Sequence, residues 1–199
     1  MDDIKPYLIN DEDADGRILT PLPLDSKSFQ EKWLQELLYK HPSIIPIEQF
    51  DESFSPLISI GREIANIDNL FISPSGALCI VETKLWRNPD AHRTVVAQVL
   101  DYAQTLSTWD YAKLDNEVKK YSNTRFGKQK SIYEILKHET DIDIDEVEFH
   151  QRVQDSLVNG RFALLIIGDK ISPAATQLAD IIQSAPHLQF SLGFVELRC

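Results

Sequence analysis

IDNLFISPSGALCIVETKLW, residues 67–86, is the stretch whose reading decides the fold. One apolar run is broken by Ser73-Pro74-Ser75-Gly76, and a second, Ala77 to Val81, continues into Glu82-Thr83-Lys84. Proline, serine and glycine at the break are turn residues, so the stretch reads as two strands, 67–72 and 77–85, joined as a hairpin. With Pro74 and Ser75 at the centre of the turn, Asp68 falls opposite Val81 or Glu82. The two-residue period of a strand sends Glu82 and Lys84 to the same face. Two carboxylates and an ammonium thus converge at one end of a hairpin whose interior is apolar, where charge without a partner is costly.

The flanking sequence supplies the other elements. PLISIGREI (56–64) reads as a strand. Phe29, Trp33, Leu34, Leu37 and Leu38 repeat at helical spacing before His41-Pro42, with Ser28 and Glu31 spaced as a capping box. Asn88-Pro89-Asp90 reads as a cap, a first-position proline and a first-turn acid. The helix it opens runs to about Trp109, with Val95, Val96, Val99, Leu100, Ala103 and Leu106 as its apolar face. RFALLIIGD (161–169) is a buried strand, Ser172-Pro173 opens a helix to about Ser184, and FSLGFVEL (190–197) is a final strand. Residues 110–158 are polar and read as a helical insertion. Residues 1–25, with an acidic cluster and Pro21-Leu22-Pro23-Leu24, read as an arm, leaving 26–199 as one domain. The order of elements predicts an α/β fold with a mixed sheet covered on both faces. A chain ending two residues after its last strand also fits the N-terminal part of a longer protein.

At 199 residues, 43% hydrophobic and 26% charged, the chain has the make-up of one globular domain. No apolar run is long enough to span a membrane and Met1-Asp2-Asp3 is unlike a signal peptide, so the expectation is a cytoplasmic protein with no membrane partner. Cys79 and Cys199 form no metal or redox spacing. The net charge of -11 argues against a protein that coats nucleic acid, yet residues 113–137 alone carry +4. There Lys119, Lys120, Arg125, Lys128 and Lys130 interleave with Tyr121 and Phe126, a composition suited to phosphate contacts. Arg87, His92 and Arg93 lie near the end of the hairpin and add to the same expectation. Asp141-Ile142-Asp143-Ile144-Asp145 lacks the glycine and distal glutamate of a calcium loop. No Ser-His-Asp set or phosphate-binding glycine loop is present.

Two carboxylates held close together require a compensating cation or a raised pKa, and a hard divalent ion suits such oxygen donors. Glu36 on the first helix and Gln98 on the second fall on faces expected to meet the sheet, so both are candidates for the same polar pocket. Asp68, Glu82-Thr83-Lys84, an acidic residue on the preceding helix and Gln98-Val99-Leu100-Asp101-Tyr102 together resemble the PD-(D/E)XK nuclease superfamily. The Q-x-x-x-Y helix is similar to its RecB-like branch. Ile67 stands where the family name has proline.

The resemblance implies a restriction-endonuclease-like core of helix, three strands, helix and strand. It implies Mg²⁺, with Mn²⁺ as substitute, held by Asp68, Glu82 and the Thr83 carbonyl, with Glu36 through water. Lys84 would assist the attacking water, Glu36 and Gln98 would complete the site, and Tyr102 would contact the nucleic acid. The expected activity is hydrolysis of phosphodiester bonds, as a DNA endonuclease in repair, restriction or defence, with RNA as the other substrate. The alternative is a catalytically inactive module that keeps the fold and binds nucleic acid or protein. Edge strands and a helical insertion leave room for a homodimer.

Overall fold

A computed structural model describes residues 7–8, 17–18, 30–85, 92–171, 173–184 and 189–197. Tyr7–Leu8 (β1) and Arg17–Ile18 (β2) form a short antiparallel ladder in the N-terminal arm. The domain is built on five strands, Ile58–Gly61 (β3), Asn69–Ile72 (β4), Leu78–Lys84 (β5), Phe162–Gly168 (β6) and Ser191–Glu196 (β7). They lie in chain order in one open sheet. The first three form an antiparallel meander, and β6 and β7 each add parallel to the strand before. All seven residues of β6 are buried, which is why FALLIIG is apolar without alternation: a parallel strand inside the sheet is covered on both faces.

The hairpin has one register throughout. Asn69 pairs with Val81, Leu70 with Ile80, Phe71 with Cys79 and Ile72 with Leu78, so the next step sets Asp68 level with Glu82. Gly76 closes the turn at φ +79°, and a Cβ there would sit 2.7 Å from the Arg152 backbone. Both the left-handed backbone and this close approach demand glycine.

The strand expected over 56–64 stops at Gly61. Glu63, Ala65 and Asn66 take positive φ, and the Glu63 amide donates to the Ile67 carbonyl at 2.7 Å. This compact loop ends at Asp68, just ahead of β4.

The sheet faces bury different partners because successive side chains alternate. Leu78 and Ile80 point to a core built with His92–Ser107 (α2), which supplies Val95, Val96, Val99 and Leu106. Cys79 and Val81 point to a second core with Leu34 and Leu38 of Glu31–Lys40 (α1). Short 3-10 turns at Pro42–Ile44, Ile47–Gln49 and Glu52–Phe54 complete that second layer. Helix α1 starts at Glu31, after Gln30, whose side chain makes no cap hydrogen bond. Glu31 is thus the first helical residue rather than the third, and its carboxylate turns to β5 instead of to a capping box; Ser28 lies outside the described residues. The cap expected at Asn88-Pro89-Asp90 also lies outside them.

Three helices fill 110–160: Tyr111–Phe126 (α3), Ile132–Glu139 (α4) and Glu146–Asn159 (α5). Each opens on a side-chain cap, from Asp110, Ser131 and Asp145. The acidic DIDIDEVE stretch therefore ends in a helix cap, where Asp145 accepts from the amides of Val147 and Glu148. Phe149, Val153 and Leu157 carry α5 into the α2 core. Pro173–Gln183 (α6) packs on β7 and α2, and the Gln183 side-chain amide donates to the Leu192 carbonyl. The result is an α/β domain with a five-stranded mixed sheet flanked by helices. Among the described residues, no helix is long and apolar enough to cross a membrane.

Candidate functional site

The end of the hairpin opposite its turn gathers Asp68, Glu82, Thr83, Lys84 and Tyr102. One oxygen of the Asp68 carboxylate accepts from both the Thr83 amide and the Thr83 hydroxyl, each at 2.7 Å. Thr83, expected to offer its carbonyl, is thus tied to Asp68 by its two donors. Glu82 is 5% exposed, and the Tyr102 hydroxyl donates to its Oε2 at 3.3 Å. Burial, and after it the neighbouring Asp68 charge, push the Glu82 carboxyl up to about 8. Lys84 and the Tyr102 hydrogen bond act against that rise. Burial and then the Glu82 and Asp68 charges raise the Tyr102 hydroxyl as well, so it remains a donor at neutral pH.

Lys84 projects from the strand end, where its Nζ lies 3.3 Å from Glu31 Oε1. The same carboxylate oxygen accepts from the Leu85 amide at 3.2 Å. Glu31 is the acidic residue that α1 contributes to this group, and sequence reasoning assigned it to a cap instead. Its only local signal was an acid in the first helical turn; the partner is more than fifty positions away. Gln98 is half-buried one helical turn before Tyr102, on the same face of α2.

Glu36 does not join this group. Its carboxylate is held by Arg62 from the β3–β4 loop, by Arg125 of α3 at 2.7 Å and by Lys40 at 3.2 Å. The hydrogen bond from Arg125, with further help from Lys40 and Arg62, overrides partial burial and holds it down at about 2. Arg62 also donates to the Gln35 side chain at 2.7 Å. This cluster ties the insertion to α1 and to the loop that delivers Asp68.

The basic segment is not one free surface. Lys119 pairs with Asp115 at 2.6 Å, Lys120 with Glu117 at 2.7 Å, and Arg125 with Glu36. Lys128 and Lys130 instead line a cavity of about 730 Å³ beside β3. Arg87 lies outside the described residues, as do the side chains of His92 and Arg93.

Among the described residues, no three His, Cys, Asp or Glu side chains form a ready-made metal cage. Asp68 and Glu82 nevertheless suit a hard divalent ion that keeps several waters. Each has one carboxylate oxygen to which no described residue donates, Asp68 Oδ1 and Glu82 Oε1. Burial is the main cause of the raised Glu82 carboxyl and the Asp68 charge adds to it, so a bound cation would offset the second of these. No protein-family model, curated protein or solved structure matches the chain.

Proposed function

We propose that this protein is a Mg²⁺-dependent nuclease with a restriction-endonuclease-like core, cutting DNA internally. One observation carries the reading: Asp68 and the buried Glu82 meet at the end of a central hairpin, with Lys84 beside them and a carboxyl pKa pushed to about 8. The element order of helix, three-stranded meander, helix and parallel strand supports it.

Asp68 and Glu82 would hold the ion, which when bound supplies charge to activate a water and stabilise a phosphoryl group under attack. The Thr83 donors fix one Asp68 oxygen and leave the other without a donor among the described residues. The Tyr102 hydroxyl holds Glu82 in place. The Lys84 ammonium, restrained by Glu31, is positioned to stabilise charge developing on phosphate oxygens. Glu36 acts through structure, by bracing the Asp68 loop through Arg62.

A second reading, a binding module without catalysis, draws on the pairing of Lys84 with Glu31, which occupies the cation that hydrolysis would need. Calorimetric titration of Mg²⁺ and Mn²⁺ into wild type, Asp68→Ala and Glu82→Ala, with cleavage assays on plasmid and single-stranded DNA and on RNA, separates the two. Metal binding and cleavage lost together in both variants support the nuclease. A well-folded wild type that binds metal but cuts nothing favours the module, and one that binds no metal removes the proposal.

A further inference from the structure

β3 is an outer strand of the sheet, and on the side away from β4 its backbone pairs with no described residue. Unpaired strand edges accept strands from other chains. This edge opens into the cavity of about 730 Å³: Pro56 to Ile60 form one wall, and the end of α1, the end of α3, and α4 form the others. The lining is cationic above an apolar floor. Lys128 and Lys130 make no ion pair among the described residues, and with Lys40 they outnumber the one carboxylate on the lining, Glu139. Ile135 and Pro56 supply apolar surface at the level of the strand.

Two kinds of anionic chain could meet such lysines, and the surroundings favour a polypeptide. The Arg125 guanidinium lies 4.5 Å from the Tyr39 ring centre and 5.5 Å from that of Phe126. Tyr39 meets Tyr121 edge-on at 5.9 Å. Tyr39 and Tyr121 are thus engaged with their own neighbours, and only Phe126, 55% exposed, is left open, one ring rather than a row of stacking platforms for successive bases. A strand edge, by contrast, offers alternating donors and acceptors that only another peptide backbone matches.

We infer that the β3 edge is the docking site for an extended acidic peptide of a partner protein. The segment adds beside β3 as a sixth strand and sets its carboxylates against Lys128 and Lys130. A four- or five-residue match spans about 15 Å, the length of β3 and its approach. Main-chain pairing supplies affinity, and the lysines select acidic side chains. This site is separate from Asp68 and Glu82 and does not depend on their activity.

The test uses the full chain and three fluorescein-labelled probes: the hexapeptide Val-Glu-Val-Glu-Val-Glu, its counterpart with lysine for glutamate, and a 15-nucleotide oligothymidylate. Anisotropy should show the acidic peptide binding at least tenfold more tightly than its lysine counterpart and staying bound when excess unlabelled oligothymidylate is added. Lys128→Glu with Lys130→Glu should weaken it at least tenfold, and hydrogen exchange should show new protection over residues 57–61. Absence of binding, equal binding of both peptides, or binding without protection of the β3 amides overturns the inference. Tighter binding of the oligothymidylate with protection at the same residues overturns it in favour of nucleic acid. The probe comparison and the exchange measurement use wild type, so they stand even if the double variant unfolds.

Discussion

Thr83 donates twice to the same oxygen of Asp68, through its amide and its hydroxyl, both at 2.7 Å. Three residues of one strand end thereby divide the work: Glu82 faces α2, Thr83 holds Asp68 and Lys84 reaches α1. Thr83→Val keeps shape and amide but removes one donor to a carboxylate. It should cost about 1–2 kcal/mol in urea unfolding, and it should lower metal affinity if Asp68 is a ligand. Unchanged stability and unchanged Mn²⁺ titration would show that the hydroxyl has no part in placing Asp68.

The buried Glu82 makes a pH prediction with a definite sign. Its folded pKa of about 8 lies above the ordinary 4.5, so between those values the folded chain binds a proton that the unfolded chain has released. Stability from this group is complete below about pH 4.5 and falls as pH rises towards 8, with a limiting slope of roughly 1.4 kcal/mol per pH unit. Thermal melts of wild type and Glu82→Gln from pH 5 to 9 should diverge with rising pH, the variant gaining relative to wild type. Mg²⁺ should raise the wild-type melting temperature more at pH 8 than at pH 5. Parallel melting curves across this range would contradict the burial of Glu82 beside Asp68.

Glu36 behaves in the opposite sense. Its carboxyl, held at about 2 by Arg125, Lys40 and Arg62, contributes stability that is present above about pH 4.5 and lost as pH falls through 2. Glu36→Gln should therefore move acid unfolding to higher pH and cost about 1 kcal/mol at neutral pH, a modest figure because the cluster is partly solvated. Metal titration should stay at wild-type affinity. A lost metal site in a folded Glu36→Gln protein would return Glu36 to the ligand set.

Two glycines are constrained to different degrees. Gly193→Ala would place a Cβ 2.1 Å from Cε1 of Phe50, a side-chain ring, whereas Gly76→Ala meets the Arg152 backbone and a φ of +79°. Gly76→Ala should cost about 2–4 kcal/mol and Gly193→Ala about 1–2. Phe50→Leu should relieve the second and leave the first unchanged, as denaturant midpoints of the four proteins would show. A smaller loss at Gly76 than at Gly193 would mean that α5 is free to lift from the hairpin.

Lys84→Met should change stability by less than about 0.5 kcal/mol, because its pair with Glu31 is solvent-accessible at 26% and 40% side-chain exposure. Under the nuclease proposal the same variant should lose at least a hundredfold in cleavage while still binding Mn²⁺. Retained cleavage would dismiss Lys84 from the chemistry.

The hairpin, its register to within one residue, and the alternation of strands and helices were legible because each depends on neighbours in sequence. Pro74, Ser75 and Gly76 set the turn, the two-residue period sends Leu78, Ile80 and Glu82 to one face, and the apolar FALLIIG run announces a strand covered on both sides; Lys84, at the strand end, reaches instead to Glu31 of α1. The destinations of the charges were not legible. Glu36 was expected to face the sheet, but it stays partly exposed at the side of α1, where Arg62 and Arg125, 26 and 89 positions away, reach its carboxylate and keep it. Glu31 looks like a capping residue until the start of α1 is laid beside the end of β5. That Lys119 and Lys120 pair with Asp115 and Glu117 on their own helix could not be read from the +4 charge of the segment. Local periodicity determines where a side chain leaves the backbone. Which opposite charge it meets depends on segments distant in sequence that only the packed sheet and its helices bring within Coulombic reach.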